Sequence, residues 1–225
     1  MRIVLSRHGN TFSSDETAIW VGGEANPPLV AEGERQAWQL GTSLRKAGRI
    51  PVATFCGPSK RTRSYSDIVL AACGVRQVPV EDSRLNEIDY GSWNGLSNEE
   101  VIRRFGADEF YNWYQRSIWP VSKNWKTRRR GYVKAIGCFL DDLERAYGSA
   151  KTVLVVAAHG PIKCIGRALG QEQPNLFGTQ WLRVDTGNVC ELDMNHGVAR
   201  AIFWDKHPSY ICPAADAGEP RAHPA

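Results

Sequence analysis

Six cysteines are scattered through the 225 residues, and no two of them form a C-x-x-C pair. Metal ribbons and dense disulfide frameworks therefore find no support. Cys56, Cys73, Cys138, Cys164, Cys190 and Cys212 stand far apart, several in apolar surroundings, as buried thiols of a reducing compartment do. No apolar run nears the roughly 18 residues of a membrane span. No G-x-x-x-x-G-K-S/T loop is present, and Trp93 stands where a serine-hydrolase elbow requires Ser. The chain has no internal repeat. An apolar strand starts directly after Met1, which leaves no room for a signal peptide. These absences predict a soluble, cytoplasmic protein with no membrane partner.

What is present is an ordinary globular composition, 42% hydrophobic and 23% charged, with a net charge of +4. The charge suits an anionic ligand without demanding nucleic acid. This length predicts one large domain able to bury its core without staples.

Apolar patterning predicts alternating strands and helices. Ile3-Val4-Leu5 reads as a first strand, followed by a polar loop over Phe12–Pro28. Ala37, Leu40, Leu44 and Ala47 mark the buried face of a helix over Ala31–Ala47. Val52–Cys56 reads as a strand, and Gly57-Pro58-Ser59 as a turn into a helix carrying Tyr65, Ile68, Val69 and Ala72. Gln77–Val80 reads as a short edge strand because Pro79 lacks an N–H. Leu85–Trp125 is irregular and aromatic, with a short helix over Val101–Phe105. A helix over Arg128–Tyr147 carries the stripe Val133, Ile136, Leu140, Leu143 and Tyr147. Thr152–Ala157 is a strand and Ile162–Leu169 a helix; Trp181–Val184, Val189–Asp193 and Val198–Trp204 are strands, the last two joined at Asn195-His196-Gly197.

This alternation predicts an α/β fold: a three-layer α/β/α sandwich around a mainly parallel sheet. The expected organisation is a single domain over residues 1–213, with an aromatic and basic cap inserted at about 96–130 and an Ala/Pro-rich tail over 214–225.

Chemistry concentrates at strand ends. One strand finishes in Arg7-His8-Gly9 and another in Ala158-His159-Gly160. If both strands are central and parallel, the two histidines meet at one sheet edge, where α/β proteins bind ligands. Arg61 opens a helix directly after a strand and points to the same edge, next to backbone N–H donors suited to an anion. Crowded cations keep a histidine neutral, and neutral imidazole is a nucleophile. Guanidinium forks match phosphoryl oxygens. An acid for the leaving group must come from Glu87 or Asp89, in an aromatic, glycine-rich loop where partial burial would raise a carboxyl pKa.

These segments resemble the histidine phosphatase superfamily, in its phosphoglycerate-mutase-like branch. Arg7-His8-Gly9-Asn10-Thr11 is similar to the opening R-H-G signature, and Gly57-Pro58-Ser59-Lys60-Arg61-Thr62 to S-P-x-x-R-T. Leu85-Asn86-Glu87 through Gly95 is similar to L-x-E-x-x-x-G-x-W-E-G, and Val155–Gly160 to V-V-x-H-G. Four motifs in the family's order are far more specific than any one alone. The resemblance implies a phosphohistidine on His8, phosphoryl binding by Arg7 and Arg61, a hydrogen bond from His159, and proton donation by Glu87 rather than Asp89. It implies substrate contacts from Asn10, Thr11, Ser14 and Gly160, a small phosphorylated anionic substrate, and no metal or other cofactor. The chain departs from the pattern at Ser13-Ser14, where the family often has a phosphate-binding Asn, and at Gly57 and Asn94.

Rival readings are weaker. Cys56 and Arg61 are one residue too close for a cysteine phosphatase. Lys123, Lys126, Arg128, Arg129 and Arg130 beside Trp113, Trp119 and Trp125 suggest nucleic acid, yet a substrate-contacting cap explains them better, and nucleic acid is not the expected partner. His196, His207 and His223 show no metal-ligand spacing. The expected activity is a metal-independent phosphatase. The alternative is mutase-type transfer between carboxylated phosphoesters, with Arg103, Arg104 and Arg116 gripping a carboxylate or second phosphate. A protein- or nucleic-acid-binding module on the same fold is a further option, opposed by the intact set Arg7, His8, Arg61, Glu87 and His159. A homo-oligomer is left open.

Overall fold

The structure is a computed structural model that describes residues 1–121, 124–148, 151–170 and 182–211. The expected tail over 214–225, together with Lys123, Trp181, Cys212 and His223, lies outside the described residues.

The sheet is built from β1 (Arg2–Arg7), β2 (Ala53–Cys56), β3 (Val80–Glu81), β4 (Thr152–Ala157), β5 (Val189–Asn195) and β6 (Val198–Lys206). Their spatial order is β3-β2-β4-β1-β5-β6. The first four positions in that order are parallel, and β5 pairs antiparallel with both β1 and β6, so the sheet is mainly parallel as expected. The helices are α1 (Ala31–Lys46), α2 (Lys60–Cys73), α3 (Asn98–Phe105), α4 (Ala107–Tyr114), α5 (Arg129–Tyr147) and α6 (His159–Gly170).

Strand alternation sorts the core into two layers. Ile3 and Leu5 of β1 and Val153 and Val155 of β4 pack with Ile136, Phe139 and Leu143 of α5 and Ile162 and Ile165 of α6. Val4, Leu154 and Val156 point the other way, onto Leu40 and Leu44 of α1 and Val69 and Cys73 of α2. Helices thus cover both faces, the three-layer sandwich that the pattern predicts. Each such fully buried aliphatic side chain contributes about 1.5–3 kcal/mol.

A third apolar cluster lies in the cap. Tyr90, Trp93, Phe110, Trp113 and Trp125 bury one another there, with edge-to-face pairs such as Trp113 against Trp125 at 4.9 Å. These rings form a satellite core, not an exposed stacking platform for bases.

Several expectations need correction. Gln77–Val80 shrinks to the two-residue edge strand β3. Leu182–Val184 is not a strand; the segment is a connection whose Val184 carbonyl is bound by Arg7. Val133 is exposed on α5 and Phe139 takes the buried position instead. Helix α6 starts at His159, three residues earlier than the apolar pattern suggests, because Gly160 and Pro161 are tolerated in a first turn. The β5–β6 turn holds as expected, with His196 and Gly197 both at positive φ (52° and 76°). Cys138 is exposed, whereas Cys56, Cys73, Cys164 and Cys190 are buried free thiols. Among the described residues no helix is long and apolar enough to cross a membrane.

Candidate active site

Strands β1 and β4 are parallel neighbours with Arg7 opposite Ala157. Their next residues carry His8 and, one step further, His159, so both imidazoles reach the same carboxyl edge of the sheet. Gly9 follows His8 because the chain there lies directly on the first turn of α1: a Cβ on Gly9 would strike the backbone of Gly33. Arg61, in the first turn of α2, completes the group.

The tautomer of His8 follows from its partners. Nδ1 lies 2.8 Å from the Gly9 carbonyl, which can only accept. The hydrogen therefore sits on Nδ1, and Nε2 keeps its lone pair. Arg61 Nε donates to that Nε2 at 3.2 Å. Burial, then Arg61 and Arg7, hold the His8 pKa well below its usual 6.5, so the ring is neutral.

Glu87 faces the same cavity. Its Oε1 accepts from the backbone N–H of Ile88 and of Gly160, each at 2.9 Å. A side chain on Gly160 would collide with that carboxylate and with Ile88. The expected substrate contact by Gly160 therefore needs correction: its N–H, at the start of α6, is given to Glu87. Tyr90 lies against Glu87, and burial together with that carboxylate pushes the phenol pKa well above its usual value. Asp89 points away, accepting from Gly91 N–H and from Asn94 Nδ2, each at 2.8 Å.

Two buried polar atoms at this edge have no hydrogen-bond partner among the described residues: Arg7 Nε and His159 Nε2. Arg7 is anchored by one terminal nitrogen, which donates to the Val184 carbonyl at 2.7 Å. Burial, followed by Lys163 and Arg7, holds the His159 pKa well below its usual 6.5. The other two nitrogens of Arg61 donate to the carbonyls of Ala25 (3.1 Å) and Gly22 (3.3 Å). Arg61 thus ties the nucleophile-bearing edge to the loop that follows β1, and part of its five-hydrogen fork remains for a ligand.

These groups line a cavity of about 860 Å³, with Asn10, Thr11, Ser14, Tyr114, Arg183 and Thr186 also on its wall. The wall is made mostly by the loop between β1 and α1, and the cap contributes Asn98 and Tyr114. The expected substrate-contacting cap thus supplies only part of the wall. Sequence reading missed the reason: Trp20, within the polar loop, is inserted into the aromatic cluster against Tyr90 at 4.9 Å and Trp93 at 5.2 Å. The loop also exchanges backbone hydrogen bonds with the cap, Trp20 N to Leu96 O (2.9 Å) and Gly95 N to Trp20 O (2.8 Å). A tryptophan in an otherwise polar loop was the available signal. Ser13 and Ser14 sit at the exposed rim, and Ser13 is bonded to Glu16. Asn10 Oδ1 accepts from Thr186.

Arg103, Arg104 and Arg116 do not line this cavity. All three are exposed, and Arg104 pairs with Glu100 on its own helix. Lys126 pairs with Glu24 and Asp89, so it staples the loop to the cap and is not a free basic site. Arg183 and Lys163 are the cations that the sequence did not single out. Lys163 is fully buried; it donates to the carbonyls of Trp113 (2.7 Å) and Tyr114 (2.8 Å). Burial lowers its pKa to about 7. Among the described residues no group of three or more His, Cys, Asp or Glu is arranged to hold a metal ion.

Comparison with known proteins agrees with this geometry. A profile of the histidine phosphatase superfamily (branch 1) matches residues 3–206. The chain is 38% identical over 105 residues to "Probable phosphoglycerate mutase GpmB" of Klebsiella pneumoniae, a match covering 44% of this chain and 46% of that protein. The first curated relatives are therefore matched over less than half their length. A 2,3-bisphosphoglycerate-dependent phosphoglycerate mutase of Bradyrhizobium diazoefficiens is 25% identical over 70% of this chain and 75% of its own. In structure the chain is similar to a mycobacterial glucosyl-3-phosphoglycerate phosphatase (TM-score 0.70, 21% identity, 91% and 98% of the two chains). It is also similar to the alpha-ribazole phosphatase of Shigella flexneri (TM-score 0.63, 22% identity, 92% and 97%). At these identities the two structures speak to the fold alone.

Proposed function

This chain belongs to the histidine phosphatase superfamily, and from that premise we propose that it hydrolyses a small phosphomonoester through a phosphohistidine on His8. The observation that carries the reading is the His8 tautomer: a buried, neutral imidazole whose Nε2 lone pair is flanked by Arg61.

In the first step Nε2 of His8 attacks phosphorus and the ester P–O bond breaks in line. The leaving alkoxide takes a proton from Glu87. Because Oε1 is held by two backbone N–H groups, Oε2 is the oxygen suited to carry that proton. The equatorial phosphoryl oxygens are bound by Arg7, Arg61 and His159, all of which line the cavity. In the second step water attacks phosphorus, the P–N bond breaks, and the Glu87 carboxylate accepts the water's proton. Phosphate leaves and His8 recovers its lone pair. The guanidiniums and His159 supply the charge stabilisation, so the reading is of a metal-independent enzyme.

The similarity to phosphoglycerate mutases favours a second reading, transfer of the phosphoryl group to another hydroxyl instead of water. One experiment separates the two. Purified enzyme is incubated with an aryl phosphate, with and without chelator, and with phosphoglycerates in the presence and absence of a bisphosphorylated primer. A hydrolase releases inorganic phosphate, keeps its rate under chelation and needs no primer. Primer-dependent isomerisation without phosphate release establishes the mutase. Full activity in His8→Ala overturns the phosphohistidine route in both.

A further inference from the structure

We infer that Lys163 and Arg167 are positioning residues: without touching the substrate, they hold the end of α4 so that Tyr114 stays against it on the cavity wall; this rests on the phosphoester reading of the site.

His159, Lys163 and Arg167 recur at every fourth position of α6, so they share one face of that helix. His159 lines the cavity and the other two do not. They turn instead to the place where α4 stops. A helix leaves its last carbonyls without internal partners, and the last turn of α4 carries no basic residue of its own. Lys163 Nζ donates to the carbonyls of Trp113 (2.7 Å) and Tyr114 (2.8 Å). Arg167 Nη1 donates to the carbonyl of Ser117 at 3.1 Å and, more weakly, to that of Arg116 at 3.5 Å. One helix thus takes carbonyls on both sides of Gln115, where α4 ends.

This turn needs holding. Ser117 sits at φ 54°, a left-handed conformation that a residue with a side chain adopts only where its surroundings impose it. Its N–H closes on the Trp113 carbonyl at 3.2 Å, the same oxygen that Lys163 binds. The Tyr114 ring stacks on Phe110, one turn back on α4, at 5.0 Å and 16°, and it lines the cavity. A shift of the end of α4 therefore carries the ring with it. Stability does not account for Lys163. Its fully buried ammonium is held by carbonyls and lies 4.7 Å from the Trp113 ring centroid. Burying an ammonium on neutral partners costs folding energy, and methionine would fill the same unbranched path without the charge. What the ammonium supplies is a link between the helix that carries His159 and the end of the cap helix that carries Tyr114.

The test uses the full chain and calorimetry slightly below neutral pH, with two non-hydrolysable probes. Methylphosphonate fills the phosphoryl site alone; phenylphosphonate extends a ring into the cavity. Tyr114→Ala is expected to weaken phenylphosphonate about tenfold, the scale of one lost aromatic contact, and methylphosphonate less than about twofold. Lys163→Met should do the same. Arg167→Met should weaken phenylphosphonate about threefold, the scale of one hydrogen bond, and Arg167→Lys should restore it. In the Tyr114→Ala background Lys163→Met should add less than about twofold, because the ring it positions is gone. Equal weakening of both probes by Lys163→Met would mean a general loss of positive charge and overturns the proposal. So does unchanged phenylphosphonate binding in Lys163→Met or in Tyr114→Ala, or full additivity in the double variant. If Lys163→Met does not fold, the Arg167 variants decide: equal binding by Arg167→Met and Arg167→Lys overturns the proposal. Binding is read without turnover. A wild type that hydrolyses no ester but shows these losses removes the phosphatase reading and keeps the positioning role; hydrolysis with none of these losses does the opposite.

Discussion

Arg61 donates its Nε hydrogen to Nε2 of His8 across 3.2 Å, so the cation and the lone pair of the proposed nucleophile are in direct contact. That contact, added to burial, keeps the ring unprotonated as acid is added. For a nucleophile the neutral form is the working one. The acid limb of kcat/KM should therefore lie well below pH 6.5 in the wild type. Arg61→Gln removes one of the causes, so its acid limb should move up towards 6.5, alongside a rate loss on the order of 10²-fold or more. A pH–rate profile on an aryl phosphate checks both. An unmoved limb in the variant would mean that His8 does not set it.

Glu87 and Gly160 are coupled through a hydrogen bond that tolerates no side chain on the glycine. Gly160→Ala should displace the carboxylate and reduce turnover of esters with poor leaving groups by about 10²–10⁴-fold, as Glu87→Gln should, since that range is the ordinary contribution of a positioned general acid. Aryl phosphates with acidic phenols need little proton donation and should suffer far less. Rates plotted against leaving-group pKa will show a steeper slope in both variants; equal losses across the series would remove Glu87 from the acid role.

Lys163 gives a stability prediction with a definite sign. An unfolded lysine titrates near 10.4, whereas the buried one titrates at about 7. Between those values the unfolded chain holds a proton that the folded chain lacks, so folding becomes more favourable as pH rises through this window. Below about 7 the folded protein carries the full cost of the buried charge. The difference in unfolding free energy between wild type and Lys163→Met should grow from neutral pH towards 9.5, with a slope approaching about 1.4 kcal/mol per pH unit. Denaturant titrations at three pH values will check it, and a constant difference would contradict it.

Glu191 lies in mid-strand on β5, almost fully buried, and binds Arg49, itself buried, and Arg2 at 3.1 Å. Glu191→Ala leaves the Arg49 charge without its carboxylate in the interior. A loss of about 3–5 kcal/mol is expected, measured as a shift of the denaturation midpoint with little change in slope. A loss below about 1 kcal/mol would mean that Arg49 finds water.

Much of the fold could be read from residue pattern. The apolar alternation of β1 and β4 and the stripe of α1 are strong because both faces of this sheet are buried by helices. Three of the four site segments were legible because each puts a charged or imidazole side chain at a strand end or helix start, and the fourth, with Glu87, because acids stand out in an aromatic, glycine-rich loop. What escaped was long-range. Trp20 looked like a loop residue until its partners Tyr90 and Trp93 arrived from much later in the chain. Lys163 was hidden in a helix read only for its apolar face, and Arg183 was assigned to a strand. Arg103 and Arg104 on α3 and Arg116 in the turn after α4 lie outside the cavity, and charge alone does not say which side of an element faces the ligand.

The pairing of β1 has a consequence for synthesis. Arg2 is bonded in register to Thr152 on one side and Asp193 on the other. The segment carrying His8 thus precedes both of its strand partners in the chain and stays unpaired and apolar until they have been made. Non-local strand closure of this kind is slow and leaves sticky intermediates. The nascent strand is exposed to aggregation throughout that interval, and the catalytic edge forms only after β4 and β5 have both been made.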